Sequence, residues 1–453
     1  MPSVFIKTYG CQMNERDSEA VAAQLVARGY ALAPSEASAD VVLLNTCSVR
    51  DLAEQKALRK MGAIAGDARK RGRNVVLGFM GCVAQSRGRE LMDRLPDLDL
   101  VLGTQKLHRV ADHLDELISR RRERIVDTGV EEGSESRIRE HLVNGHASAS
   151  SRRVTAFVSI MQGCNQYCTF CIVPYTRGAE RSRSIAEIVA ECSELASHGV
   201  KEITLLGQIV TSFGRREVPA RDGRSPFVKL LEAVHDVQGI ERIRFTSPHP
   251  KGYGADLIAA FARLPKLCGH AHLPAQSGSD RILRLMHRGY TRERFLDIVR
   301  RLREASPRIA IGTDLIVGFP GETEEDFEAT MSLVREASLD SAFVFKYSPR
   351  KDTPASVMPS PVPEDVIEVR HARLLSVVDE QVATKLGSCV GRRMEVLVEG
   401  PSHKNPARLE GRTRCNRIVV FEGGERHHGQ LMDVAIVRAS RSTLYGAPAV
   451  LMD

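Results

Sequence analysis

Nine residues, Gly163-Cys164-Asn165-Gln166-Tyr167-Cys168-Thr169-Phe170-Cys171, carry three thiols in a C-x3-C-x2-C spacing. A loop that tight can wrap three thiolates round one face of a cubic cluster but cannot reach a fourth corner. Iron–sulfur cubes are normally held by four thiolates, so three from one loop leave one iron open to a substrate or cofactor. A structural zinc site would be closed by four ligands, usually arriving as two pairs. No second Cys/His pair follows this loop. The competing readings, a zinc loop or three unrelated thiols, explain the spacing less well.

Three more cysteines, Cys11, Cys47 and Cys82, lie far apart in sequence but share a local setting. Each falls just beyond a short apolar run of strand length: Val4–Tyr9, Val41–Thr46 and Val75–Met80, with Leu98–Leu102 as a fourth run. Helical patterns at Ser18–Arg28, Leu52–Ala68 and Leu107–Arg121 separate these runs, which implies right-handed crossovers and a mainly parallel sheet. The carboxyl ends of parallel strands share one edge, where open α/β folds place their ligands. One such cysteine alone reads as an inert buried thiol. Three in the same slot read as a second three-cysteine cluster site. Cys192, Cys268, Cys389 and Cys415 fit no such slot and read as packing or surface thiols.

The elements that must position these thiols divide the 453 residues into about three domains, at ~150 residues each. Residues 1–121 form the parallel α/β domain. Residues 122–153 are polar, small and charged, and read as a linker with a short strand at Arg124–Asp127. Over 154–387 six further strands alternate with helices: Ala156–Ile160, Glu202–Leu206, Arg242–Thr246, His270–Leu273, Ile309–Val317 and Ala342–Tyr347. Ser182 or Ser184, Ser225 and Thr323 are suited to cap the helices that follow them. Six β/α units make an incomplete parallel barrel, with the cysteine loop after its first strand, at the face where such barrels carry their chemistry. His249 and His272 read as hydrogen-bonded structural histidines. After a long helix, roughly Pro363 to Leu386, residues 388–453 change to short β-type runs divided by glycines and turns, the pattern of a small five-stranded antiparallel barrel.

Composition bounds the partners. Hydrophobic residues are 42% and charged residues 27% of the chain, ordinary for a globular protein. Met1–Lys7 lacks the pattern of a signal peptide, and no apolar stretch approaches ~18 residues; the sequence reads as cytoplasmic. In that compartment its 10 cysteines favour metal binding or catalysis over a disulfide framework. Of the net charge of +7, an excess of +4 sits between Ser388 and Tyr445, where ten Lys/Arg face six Asp/Glu. That suits a surface tracking phosphates, and equally a solvated basic face.

Three cysteines on a sheet edge, C-x3-C-x2-C in a barrel and a basic β-barrel tail together resemble the radical S-adenosylmethionine (SAM) methylthiotransferases over essentially the whole chain. Thr8-Tyr9-Gly10-Cys11-Gln12-Met13-Asn14 with Asp17-Ser18-Glu19 is similar to the branch that modifies tRNA, the MiaB type. So are Ile172-Val173-Pro174-Tyr175-Thr176-Arg177-Gly178, Phe245-Thr246-Ser247-Pro248-His249-Pro250 and Asp314 through Thr323. Gly411-Arg412-Thr413 and Asn416-Arg417 resemble the RNA-binding TRAM domain. One departure is Ile209, after Leu205-Leu206-Gly207-Gln208, where the family pattern usually has Asn.

The resemblance implies two [4Fe–4S] clusters. The open iron of the Cys164/Cys168/Cys171 cluster would chelate SAM, and the cluster on Cys11, Cys47 and Cys82 would present sulfur. Phe170, Gly207 and Gln208 are expected near SAM, and Arg412 and Arg417 on RNA. No side-chain acid or base is expected, because adenine C2 carries a strong C–H bond that acid–base catalysis cannot open and a radical can. The implied substrate is N6-isopentenyladenosine at position 37, in the anticodon loop of tRNA. The implied electron donor is a flavodoxin or ferredoxin, with the enzyme a monomer and no membrane involved. The alternatives are methylthiolation of another tRNA adenosine derivative or of a ribosomal-protein aspartate, or a non-catalytic iron–sulfur RNA-binding protein.

Overall fold

The computed structural model describes residues 1–48, 51–121, 123–129, 153–217 and 223–448. The N-terminal domain is a six-stranded, wholly parallel sheet with order β2-β1-β3-β4-β5-β6. Its strands are β1 (Ser3–Tyr9), β2 (Ala31–Leu32), β3 (Val41–Thr46), β4 (Val76–Met80), β5 (Leu100–Leu102) and β6 (Ile125–Asp127). β3 is buried along its whole length, because helices cover both faces of the sheet and a central parallel strand needs a continuous apolar run. Those helices are α1 (Gln12–Ala27), α2 (Asp51–Lys70), α3 (Cys82–Arg87), α4 (Glu90–Arg94) and α5 (Val110–Ile118). The short strand expected within the linker is β6, an edge strand of this sheet, so the sheet extends past residue 121. Most of the expected linker, residues 122 and 130–152, lies outside the described residues.

The second domain is an arc of six parallel strands: β7 (Thr155–Ser159), β10 (Glu202–Leu206), β11 (Arg242–Phe245), β12 (His270–His272), β13 (Ala310–Val317) and β14 (Ser341–Lys346). It is hydrogen-bonded as two three-stranded sheets, β7-β10-β11 and β12-β13-β14. A parallel bridge from Ile243 to Leu267 spans the seam. A small hairpin, β8 (Met161–Gln162) with β9 (Arg181–Ser182), flanks the cysteine loop. Outside the arc lie α6 (Val173–Arg177), α7 (Ile185–Ser197), α8 (Pro226–His235), α9 (Ala255–Arg263), α10 (Asp280–Leu285), α11 (Arg292–Ala305), α12 (Glu324–Ala337) and α13 (Glu364–Gly387). Ser184 and Thr323 close reciprocal capping boxes with Glu187 and Asp326, and Ser225 caps α8 through Val228 N–H.

The C-terminal domain is a closed five-stranded barrel of order β15-β16-β17-β19-β18: β15 (Arg393–Pro401), β16 (Leu409–Thr413), β17 (Ile418–Phe421), β18 (Leu431–Ala439) and β19 (Thr443–Pro448). The antiparallel expectation holds for every pair but one: β17 and β19 run parallel. A ring with an odd number of strands cannot alternate direction all the way round, so one parallel pair is forced.

This barrel is fastened to the amino-terminal end of the six-strand arc. Arg242, on β11, is fully buried; it donates to Arg412 O at 2.7 Å and Glu395 Oε1 at 2.7 Å. Arg244 donates to Glu202 Oε1 at 2.8 Å, Thr413 O at 2.8 Å and Arg414 O at 3.0 Å. Removing the guanidinium of Arg244 would strip the buried Glu202 of its closest cation, a loss typically worth about 3–5 kcal/mol. Arg244→Ala is therefore expected to lower the urea midpoint and expose the chain to proteolysis near residue 388. Unchanged melting and cleavage would show that the arginine ladder does not fasten the domain.

Candidate active site

Cys11, Cys47 and Cys82 stand at the carboxyl ends of β1, β3 and β4, three neighbouring strands. Cys11 immediately precedes α1 and donates to Asn14 Oδ1 at 3.3 Å. Asn14 Nδ2 in turn donates to Asn45 Oδ1 at 2.9 Å, and Asn45 Nδ2 donates back to Asn14 O at 2.8 Å. This closed amide pair, buried under the three thiols, fixes the distance between the ends of β1 and β3. Contact with Cys47, and after it the charge of Arg177, hold the Cys11 thiol down to about 5 against the opposing effect of burial. Burial pushes the Cys82 thiol up, opposed by the same Arg177.

The second trio follows β7. Gly163 has φ +82°, and a Cβ there would lie 1.9 Å from Ala179 O, so only glycine lets the loop pass. Cys164 N–H donates to Gly178 O at 3.0 Å, and Thr169 Oγ1 donates to Leu285 O at 2.8 Å. Buried Arg288 reaches across to donate to Cys168 Sγ at 3.2 Å and to Pro274 O at 3.3 Å. Burial raises the Cys164 thiol to about 11 and the Cys171 thiol to about 12. As free thiols these two are protonated, and metal binding must displace their protons.

All six cysteines line a single cavity of about 2220 Å³, together with Gly207, Gln208, His249, Phe343, Phe345 and Arg412. Among the described residues no three His, Cys, Asp or Glu side chains form a group suited to one metal ion; thiolates of a cube each bind a different iron and need no common point. The donor sets fit iron–sulfur groups, and unsatisfied atoms mark room for more. Gln208 Oε1, His249 Nε2 and Arg177 Nη1 are buried without a hydrogen-bond partner. A Cβ on Gly207 would press to 2.6 Å from Cγ of buried Met161, so glycine lets the backbone there pack tightly on the core beneath the cavity. Phe170 packs beside the apolar cluster of Ile282, Met286, Ile316 and Phe319, so it anchors the loop as well as lining the cavity. Ile209 also lines the cavity, and its carbonyl accepts from Ser212 N at 2.9 Å; the turn there is held by backbone, which isoleucine supplies as well as asparagine.

Both tail arginines line the cavity. Arg412 has its Nε 3.4 Å from Glu399 Oε1. Arg417 is the more buried, its side chain 17% exposed and paired with Asp340 at 2.8 Å. His272 pairs with Asp314 at 3.0 Å, as a hydrogen-bonded structural histidine should. His249 differs: burial first, then Arg288, Lys251 and Arg215, lower it to about 2, so it is a neutral ring with a free nitrogen at the cavity. Arg177, Arg288, Asn45 and the free nitrogen of His249 were not singled out from sequence. Arg177 and His249 at least fell within the quoted motifs; Asn45 and Arg288 did not.

Three family models match in chain order: an uncharacterized protein family, UPF0004, over residues 3–103, the radical SAM superfamily over 158–334, and the TRAM domain over 387–448. A tRNA-2-methylthio-N(6)-dimethylallyladenosine synthase of Akkermansia muciniphila is 51% identical, covering 99% of this chain and 99% of the relative. The enzyme of the same name from Opitutus terrae is 53% identical over 98% of this chain and 97% of its own length. The chain belongs to this synthase family. It is a radical SAM methylthiotransferase. Among solved structures, a radical SAM methyltransferase, TsrM, from Kitasatospora setae matches with TM-score 0.58 at 14% identity, covering 79% of this chain and 75% of that one. That likeness concerns the fold alone.

Gly163→Ala should collapse the cysteine loop of the arc while leaving the N-terminal trio intact. Anaerobic reconstitution of the native chain should bind close to eight irons by the four-iron arithmetic of each cube, and the variant about half. Undiminished iron in Gly163→Ala would contradict the loop assignment.

Proposed function

We propose that this chain converts N6-isopentenyladenosine at position 37 of tRNA, beside the anticodon, to its 2-methylthio derivative. Cys164, Cys168 and Cys171 would hold one [4Fe–4S] cluster, which would bind SAM, and Cys11, Cys47 and Cys82 would hold a second. The observation that carries this reading is the opening of both trios into one cavity, so the site that activates a C–H bond and the site that delivers sulfur face the same base. When bound, these groups supply one-electron cleavage of SAM and a transferable sulfur, chemistry that no side chain of the chain provides.

The protein's own residues bind, orient and exclude. Gln208 offers its free side-chain carbonyl oxygen to a donor on SAM. Arg288 holds the Cys168 sulfur in place. His249, neutral and with its Nδ1 already accepting from Lys251 N–H at 3.2 Å, offers its Nε2–H as an uncharged donor. Phe343 and Phe345, 59% and 39% exposed on the edge strand β14, stand 6.3 Å apart with their planes 23° from parallel. Two such rings offer stacking faces to bases splayed from a single-stranded loop, the form in which RNA is read base by base. Stacking contributes about 1–3 kcal/mol per base, comparable with the few kcal/mol needed to unstack the target. An isopentenyl group adds up to ~4 kcal/mol if its five carbons are fully buried.

The electron donor, in this reading, is a flavodoxin or ferredoxin, since the chemistry takes single electrons, and the enzyme acts as a cytoplasmic monomer. Among the described residues no helix is long and apolar enough to cross a membrane. On the C-terminal barrel, Arg412 is the arginine positioned for a phosphate, while Arg417 acts through its pair with Asp340.

Mass spectrometry of tRNA nucleosides after reaction with anaerobically reconstituted protein tests the reading. The methylthio product should form on isopentenylated tRNA and fall by orders of magnitude on unmodified tRNA. Changing Cys11, Cys47 and Cys82 together to Ala should abolish it while SAM cleavage persists. Equal rates on both tRNAs would defeat the substrate, and full product from the triple variant would defeat the division of labour. Arg412→Ala should weaken tRNA binding and shallow the salt slope by up to ~1; an unchanged slope would remove it from the phosphate contacts.

A further inference from the structure

Helix α6 begins two residues after Cys171 and ends at Arg177. Its far end packs against α3, whose first residue is Cys82. Arg177 is 2% exposed, and its Nη2 donates to Asp17 Oδ2 at 2.7 Å. Asp17, 1% exposed, lies on α1, the helix that Cys11 precedes. A side chain from the cysteine loop of the arc is thus sunk among the elements that carry the other trio.

Its hydrogen bonding there is incomplete. Nη1 of Arg177 is buried with no partner, and so is Oδ1 of Asp17. A buried charged donor left without a partner costs free energy that a bound acceptor would recover. Arg177 also approaches the Cys82 sulfur, itself one of the three thiols of that trio. It lines the cavity beside all three cysteines.

We propose that Arg177 donates its free Nη1–H to a sulfur atom of the group held by Cys11, Cys47 and Cys82, and that its charge, balanced by Asp17, sets how readily that group is reduced. The inference rests on the assignment of the N-terminal cluster above. Hydrogen bonds to sulfur and local net charge are the levers by which a protein tunes such groups. Reduction adds negative charge, so a nearby cation raises the potential and a nearby carboxylate lowers it. Arg177 and Asp17 therefore act with opposite sign. Because α6 continues directly from Cys171, the same residue also registers one site against the other: six residues of near-helical chain advance about 9 Å.

The test uses the full chain with Cys164, Cys168 and Cys171 changed to Ala, reconstituted anaerobically so that only the N-terminal group remains. Iron per chain and midpoint potential, followed by electron paramagnetic resonance, are compared for Arg177→Gln, Arg177→Lys and Asp17→Asn. The expected result is a lower potential in Arg177→Gln, a value near the parent in Arg177→Lys, and a higher potential in Asp17→Asn. If Arg177→Gln fails to hold iron, Asp17→Asn decides: an upward shift supports the proposal and no shift overturns it. Equal potentials throughout, or a shift of the same sign in Arg177→Gln and Asp17→Asn, would reduce Arg177 to a structural clamp. Absence of iron from the parent itself would instead defeat the N-terminal cluster assignment.

Discussion

The centre of this molecule depends on the N-terminal sheet and the six-strand arc presenting their carboxyl edges to one cavity, and on buried charges that fix how they meet. Arg16 on α1 reaches Glu191 on α7 at 3.2 Å, Arg183 approaches the same carboxylate, and Arg177 reaches Asp17. All five side chains are almost wholly buried. Such pairs add little net stability, since desolvation offsets most of their attraction. Sliding the domains past one another would leave a buried charge without its partner, and that penalty selects one register. Chemistry divided between two sites needs such a constraint: a sulfur donor a few ångströms out of place would face the wrong atom.

The same logic operates at the opposite end of the arc. Arg242 and Arg244 reach backbone carbonyls of the C-terminal barrel, while Arg417 comes the other way to Asp340. The basic tail therefore uses part of its charge to fasten the barrel to the arc. Arg412 illustrates the split: its carbonyl accepts from Arg242, and its guanidinium lines the cavity. Open between these two fastened ends, the edge strand β14 exposes Phe343 and Phe345.

The six cysteines were legible in the sequence because their signal is local: a fixed spacing in one case, and the slot after an apolar strand in the other. The helix caps at Ser225 and Thr323 were legible for the same reason, while the sequence left Ser182 and Ser184 as equal candidates and the capping box selects Ser184. Asn45 escaped notice although it lies two residues before Cys47, because its partner Asn14 is 31 residues away. Arg177 and Arg288 act on residues 160 and 120 positions distant, and no periodicity reports that. Charge counting located the basic excess of the tail but could not say that Arg417 turns inward. The parallel pair β17–β19 follows from the odd strand number, an arithmetic consequence of closure that local patterns do not carry.

The central claim is that both three-cysteine sites open on one cavity and are held in fixed register across it. The most direct measurement is the magnetic interaction between the two reduced centres in the anaerobically reconstituted, full-length protein. The account predicts spin–spin coupling, so that the spectrum of the native chain differs from the sum of those given by the two triple-cysteine variants. A native spectrum equal to that sum would mean two distant, independent centres, and would contradict the shared cavity on which this account rests.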